Sequence, residues 1–181
     1  LAIAALQTSE YFGTGSNPRK LGSAHPRNAP YQAYRARDGW FAIAAGNDRL
    51  WRAVCDVVGT PELLGDERFA TTTLRAANQV ALKDLLELHF AQKDAAYWLA
   101  SFASAGVPSA PINGYAEALA DPQAGHLGLV QPMTMPGGTQ TRTFVCPIRI
   151  DGQRVAVDTR APALGEHDAE LRARAREAGR N

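Results

Sequence analysis

The stretch YQAYRARDGWFAIAAGNDRLWRAVCDVVG, residues 31–59, decides the architecture. Its first half holds two short aromatic-bearing runs, YQAYRAR and WFAIAA, parted by Asp38-Gly39, a pair whose tolerance of positive φ suits a two-residue hairpin turn. Its second half changes period. Leu50, Trp51, Val54, Cys55 and Val58 fall on one helical stripe, with Asn47 or Asp48 placed to cap the first amides and Gly59 placed to end the helix. A β-hairpin running directly into an amphipathic helix points to an α+β fold rather than to a bundle or a sandwich.

Downstream, Thr60-Pro61-Glu62 restarts a helix, with Thr as cap and Pro at the first helical position. Residues 78–92 place Leu82, Leu85, Leu86 and His89 on one face, and residues 94–105 do the same with Ala95, Trp98, Leu99 and Phe102 before Gly106 and Pro108. Trp51, Trp98 and Phe102 are therefore expected in the core, not on a stacking platform. A shorter helix over 115–120 is closed by Asp121-Pro122. From Gly128 the pattern turns extended, with LVQPMTM and TRTFVCPIRI separated by Pro136-Gly137-Gly138, and a polar helix runs from about 167 to 178. Upstream, 1–12 reads as the end of an apolar helix stopped by Gly13, and 13–30 is rich in Gly and Pro, as a linker is.

The 181 residues are 45% hydrophobic, enough for a substantial core. Nineteen basic and 18 acidic residues leave a formal charge of +1, so no field directs the chain to nucleic acid or to an anionic membrane. The basic tail ELRARAREAGR is diluted by acids at 166, 168, 170 and 177 and reads as a solvated helix. No apolar run approaches the length of a membrane span, and a soluble protein is expected, with the unpaired cysteines fitting a reducing cytoplasm. Cys55 and Cys146 lack metal or redox spacing and read as buried, reduced thiols; His126 and His167 have no partners in spacing, and no metal is expected.

Five pieces in order, GTGSNPRKLGSAHPRNAPYQAY, DGWFAIAAGNDRLW, GTPELLGDERFATTTLRAAN, AGVPSAPINGYAEALADPQ and APALGEHDAELR, resemble the class III CoA-transferases, the CaiB/BaiF or formyl-CoA transferase family that includes the α-methylacyl-CoA racemases. The resemblance implies a chain matching only the C-terminal half of a member: the end of a large-domain helix and linker over 1–30, a small α+β domain over 31–127, and a return segment with strands and a helix over 128–181. It also implies acyl-CoA and a carboxylic acid as substrates, coenzyme A as the carried group, and either an interlocked homodimer or association with the missing N-terminal half. In such transferases an Asp of the large domain is the nucleophile, passing through an anhydride and a thioester, each reached by way of an oxyanion. No position here matches it, so no catalytic residue is assigned and the chain alone is expected to be inactive.

The resemblance aligns 22–30 with a loop that closes over the reacting acyl group. Gly22, Ser23, Ala24, His25 and Arg27 then become candidate substrate-binding residues, with Gln32 following the lid; Arg27 offers a two-pronged hydrogen bond and His25 a donor when protonated. Read by its composition alone, the same stretch is a surface loop with a solvated Arg. Ala45, Gly46 and Asn47 form a turn whose free amides, at a helix start, could face a carboxylate, the thioester oxygen or part of CoA, while self-capping by Asn47 is the competing account. The leading expectation is CoA transfer to a carboxylic acid, with a short dicarboxylate as the candidate acid. The alternatives are a racemase fragment and a non-catalytic assembly module docking through the apolar ends 1–6 and 144–150.

Overall fold

The computed structural model describes residues 2–146, 148–154 and 159–178. Leu1 at the start of the expected first helix, Pro147 inside the second extended run, and residues 179–181 of the basic tail lie outside the described residues. The chain forms two compact units, Leu1–Ile112 and Asn113–Asn181.

The first unit opens with α1 (Ala5–Thr14), which ends at Gly15, not at Gly13 as expected. Gly15 is the residue in the left-handed region, φ 69°, and its N–H donates to the Tyr11 carbonyl; Gly13 stays inside the helix. After the linker come β1 (Tyr31–Arg35) and β2 (Trp40–Ala44), antiparallel, with Tyr34 opposite Phe41 and Gln32 opposite Ile43. The hairpin is as read from sequence, but its turn is not. Neither Asp38 nor Gly39 adopts positive φ, and the last strand pair, Arg35 with Trp40, leaves 36–39 as the connection, closed by Ala36 N–H to Gly39 O at 2.8 Å. Asp38 has another partner. Its carboxylate accepts the Ala95 N–H at 2.8 Å while Arg37 grips Asp94 with two bonds of 2.8 and 2.7 Å, so the hairpin tip holds the start of a later helix.

The far end of β2 feeds α2 (Asp48–Val58), whose five striped residues are all buried; each such side chain contributes about 1.5–3 kcal/mol by leaving water. Asn47 caps it by accepting the Leu50 N–H, and Gly59 ends it at φ 76°. Thr60 does not cap with its hydroxyl; Pro61–Leu64 forms a 3₁₀ turn and Thr60 is buried beside Cys55. A second 3₁₀ turn, Glu67–Phe69, leads to α3 (Thr72–Ala77), α4 (Gln79–Phe90) and α5 (Ala95–Ser104). Trp51, Trp98 and Phe102 lie in the core as expected. A strand unforeseen in the sequence, β3 (Ser109–Pro111), pairs antiparallel with β2 and completes the sheet order β1-β2-β3. One sheet face carries Tyr34, Phe41 and Ile43 against the helices, and Phe90 sits among Tyr34, Phe41, Trp98 and Phe102.

The second unit contains α6 (Tyr115–Ala120), which closes at Asp121-Pro122 as expected, and the same pair also opens α7 (Pro122–His126), with Asp121 accepting the Gln123 N–H. A hairpin of β4 (Val130–Thr134) and β5 (Gln140–Phe144) follows, then the short pair β6 (Arg149–Ile150) and β7 (Gln153–Arg154), and α8 (Asp168–Ala178).

Cys55 is buried as expected, but Cys146 is exposed. Val145, just past β5, turns inward with its N–H donating to the Leu129 carbonyl, and Cys146 after it is left facing out. Burial raises the Cys55 thiol pKa to about 12, the Thr60 hydroxyl opposing that shift. A disulfide-exchange thiol reagent at neutral pH is therefore expected to titrate one cysteine in the folded chain and both in denaturant; two fast-reacting thiols in the native protein would refute the burial of Cys55. Because this pKa lies above the unfolded value of about 8.5, the associated stability is full below that pH and is lost as pH rises toward 12.

Candidate functional site

The segment 22–30 is fastened along its length. Gly22 takes φ 62°, which lets the chain turn back so that the Ser23 hydroxyl accepts the Ala33 N–H at 3.1 Å and the His25 N–H donates to Tyr31 O at 2.9 Å. Both bonds run along the β1 edge, which this loop covers. The His25 ring stacks on Tyr31, centroids 5.0 Å apart, and its Nδ1 accepts two backbone N–H groups, from Arg27 and Asn28, each at 3.1 Å. Arg27 reaches Glu10 of α1 at 3.1 Å, an exposed pair of the kind worth about 0–1 kcal/mol.

At the far end, the Ala29 carbonyl accepts from Arg75 Nε at 3.0 Å and the Pro30 carbonyl accepts the Ala45 N–H at 2.9 Å. Asn28 lies against the turn that starts α2: a Cβ placed on Gly46 would come 3.2 Å from the Asn28 side chain, so this glycine is what allows the close approach. Two stretches the sequence singled out separately, His25–Arg27 and Ala45–Asn47, are thus joined through Asn28 and Pro30.

At the turn itself Ala45 is buried, Asn47 is exposed and spends its carboxamide oxygen on the Leu50 N–H at 2.9 Å. The Asp48 and Arg49 amides have no protein acceptor among the described residues. An acidic residue in this first turn would repel an anion, but Asp48 is engaged by Arg75 at 2.6 Å, and that guanidinium holds its carboxyl below the ordinary carboxylate range. Asp48 is therefore part of the scaffold, and the helix start keeps its attraction for negative charge.

Gln32 is 9% exposed and directs its amide to the Tyr34 hydroxyl at 3.4 Å. Ser23 lines a groove of about 320 Å³ on the sheet face away from the helices; Gln32 borders it within β1, but strand alternation sends its side chain to the other face with Tyr34 and Ile43. The floor of that groove is a cross-strand row of small residues, Ala33, Ala42 and Ala110, bounded by Tyr31 and Ile112. Gly22 and Ala24 line a different, more polar hollow of about 490 Å³ against α1. The candidates thus divide into His25 and Arg27, linked to the α2 turn through Asn28 and Pro30, Ser23 at the groove, Gln32 on the helix-facing side of β1, and Gly22 and Ala24 beside α1.

Arg75 and Asn28 escaped sequence reasoning. Arg75 is wholly buried, and besides Ala29 and Asp48 it donates to Phe69 O at 2.9 Å and Thr72 Oγ1 at 3.0 Å. A lone Arg inside TTTLRAAN has no local signature for that role, since its first partner is 46 residues away. Among the described residues no three His, Cys, Asp or Glu side chains gather as a metal site.

The family model for CoA-transferase family III matches residues 1–168. An acetyl-CoA:oxalate CoA-transferase of Acetobacter aceti is 38% identical over 90% of this chain and 41% of its own length. A succinate–glutarate CoA-transferase of Agrobacterium fabrum is 31% identical over 94% of the chain and 42% of its length. A solved CaiB/BaiF family protein from Brucella suis superposes with a TM-score of 0.74 and 39% identity, over 96% of this chain and 44% of that one. The chain thus spans somewhat over two-fifths of the length of these three relatives.

Proposed function

This chain belongs to CoA-transferase family III, and from that membership we propose that it supplies the lid and one wall of the acyl pocket in an enzyme that moves CoA from an acyl-CoA to a carboxylic acid, with a short dicarboxylate among its acids. The observation that carries the reading is the junction of segment 22–30 with the α2 start, where Asn28 and Pro30, the chain neighbours of His25 and Arg27, meet a helix terminus whose acid, Asp48, is ion-paired with Arg75. Transfer by way of an anhydride develops negative charge on a carbonyl oxygen, and preorganised donors around that oxygen lower the barrier. Here those donors are the Asp48 and Arg49 amides, the His25 ring and the Arg27 guanidinium. On this reading the nucleophilic carboxylate lies in the part of a relative that the chain does not span, residues 31–127 form the small domain, and 1–30 and 128–181 belong with the large one. Exposed Ile3, Leu6 and Phe12, and likewise Phe144, Ile148 and Ile150, suit burial against that remainder or a second copy, in a cytoplasmic enzyme. No described helix is long and apolar enough to cross a membrane.

A dicarboxylate is favoured because oxalate, succinate and glutarate, named for the relatives, all carry a second carboxylate. Arg27 can exchange its weak exposed pairing with Glu10 for that group. In the complete enzyme, Arg27→Ala is expected to raise the KM for a dicarboxylate by about ten- to a hundredfold, the cost of a charged hydrogen bond, and to change that for a monocarboxylate far less. Equal changes would refute the assignment. The reaction itself is tested with isotopically labelled acceptor acid: a transferase carries label into the acyl-CoA, whereas a racemase exchanges only the α-hydrogen with solvent.

A further inference from the structure

We infer that His25 acts as a neutral imidazole with its proton fixed on Nε2, offering that N–H, not an imidazolium charge, to an oxygen of the bound acid or acyl group. The inference deepens the lid reading above and rests on it for the identity of the acceptor. The tautomer, however, follows from geometry alone. Nδ1 sits 3.1 Å from the backbone nitrogens of both Arg27 and Asn28, and each of those groups is a donor with a hydrogen to give. A proton on Nδ1 would set three donors against one another, so the nitrogen must present its lone pair. The ring's remaining proton is then on Nε2. Ring rotation is opposed by the stack on Tyr31, 5.0 Å between centroids and 19° between planes, and by the main-chain bond from His25 to Tyr31 O. The two amides thus position the imidazole, and through Asn28 they tie its orientation to Gly46 and the α2 start. Arg27 supplies charge at the site; His25 supplies a directed neutral donor that discriminates by geometry.

The two nitrogens can be replaced separately. In His25→Asn the carboxamide oxygen occupies the place of Nδ1 and still accepts the two amides, but nothing stands at Nε2. In His25→Gln the terminal amide reaches the Nε2 position, but the acceptor for Arg27 and Asn28 is gone. Long-range proton–nitrogen correlation spectra of this chain labelled at its four histidines, in mildly alkaline buffer with His25→Asn used for assignment, should show a bare Nδ1 and a protonated Nε2 for His25. A protonated Nδ1, or an averaged pair, overturns the tautomer. In the complete enzyme His25→Asn should melt as the wild type does while its acceptor KM rises about tenfold, one lost hydrogen bond; His25→Gln should lower the melting temperature and retain more of the acceptor affinity. Identical behaviour of the two variants, or an unchanged KM in His25→Asn, overturns the donor role. These outcomes are separable from the proposed activity, because a wild-type enzyme that transfers no label would sink the transferase reading while leaving the nitrogen spectra as they are.

Discussion

Arg75→Met is expected to destabilise the first unit by about 3–5 kcal/mol, the cost of breaking a buried charged network by removing one partner. The guanidinium is wholly buried and is committed in four directions: Ala29 O at 3.0 Å, Phe69 O at 2.9 Å, Asp48 Oδ1 at 2.6 Å and Thr72 Oγ1 at 3.0 Å. It also lies over the Trp51 ring, 5.6 Å from the centroid. Methionine fills much of the volume but leaves two carbonyls without donors. Lysine should not rescue, because a single ammonium cannot reproduce a planar fork that meets acceptors on separate elements. Asp48→Asn should cost less, since the carboxamide oxygen can still accept from Arg75 and the other three acceptors remain, although the wholly buried guanidinium loses its counter-charge. Urea denaturation of the three variants distinguishes these cases; a loss below about 1 kcal/mol in Arg75→Met would show that the network does not hold the fold. The same substitution should loosen the lid, because Ala29 is where Arg75 fastens it.

Phe90→Ala is expected to cost a comparable 3–5 kcal/mol, the range for emptying a core aromatic site. Phe90 is fully buried at the C-terminal end of α4 and makes edge-on contacts with Tyr34 at 5.3 Å, Phe41 at 5.0 Å and Trp98 at 5.1 Å, with Phe102 at 6.1 Å. These rings come from β1, β2 and α5, so α4 and α5 lose their shared contact with the sheet at one point. The backbone there matters too, since the Phe90 carbonyl accepts the Trp98 indole N–H at 3.0 Å. Leu88→Ala, two residues away on the same helix but 68% exposed, should change stability by no more than about 0.5 kcal/mol. Equal losses at the two positions would contradict the placement of the core.

What was legible in the sequence was what local chemistry determines. The period-2 runs around Asp38-Gly39 and the stripe from Leu50 to Val58 announced hairpin and helix because each carries its own pattern and cap. What stayed hidden depends on partners far along the chain. Ser109–Pro111 has too few residues and too much proline to read as a strand; it is one because Phe41 and Ile43 offer a ladder. Asp38 looked like a turn former and is instead held by the amide of Ala95. At the site, His25 and Arg27 stood out by residue type, while Asn28 and Arg75, which set their positions, are ordinary residues whose roles exist only after folding. Residue type suggested His25 as a donor when protonated, whereas in the folded loop its Nδ1 accepts two backbone amides, a partnership that the sequence does not show.

The account turns on segment 22–30 and the α2 start forming one side of the thioester pocket. Hydrogen–deuterium exchange on the complete enzyme, with and without saturating acyl-CoA, measures this directly. Ligand should slow exchange at the amides of 22–30 and 46–49 together, the Asp48 and Arg49 N–H groups among them. Protection confined to other parts of the enzyme, with these amides exchanging at their unliganded rates, would contradict it.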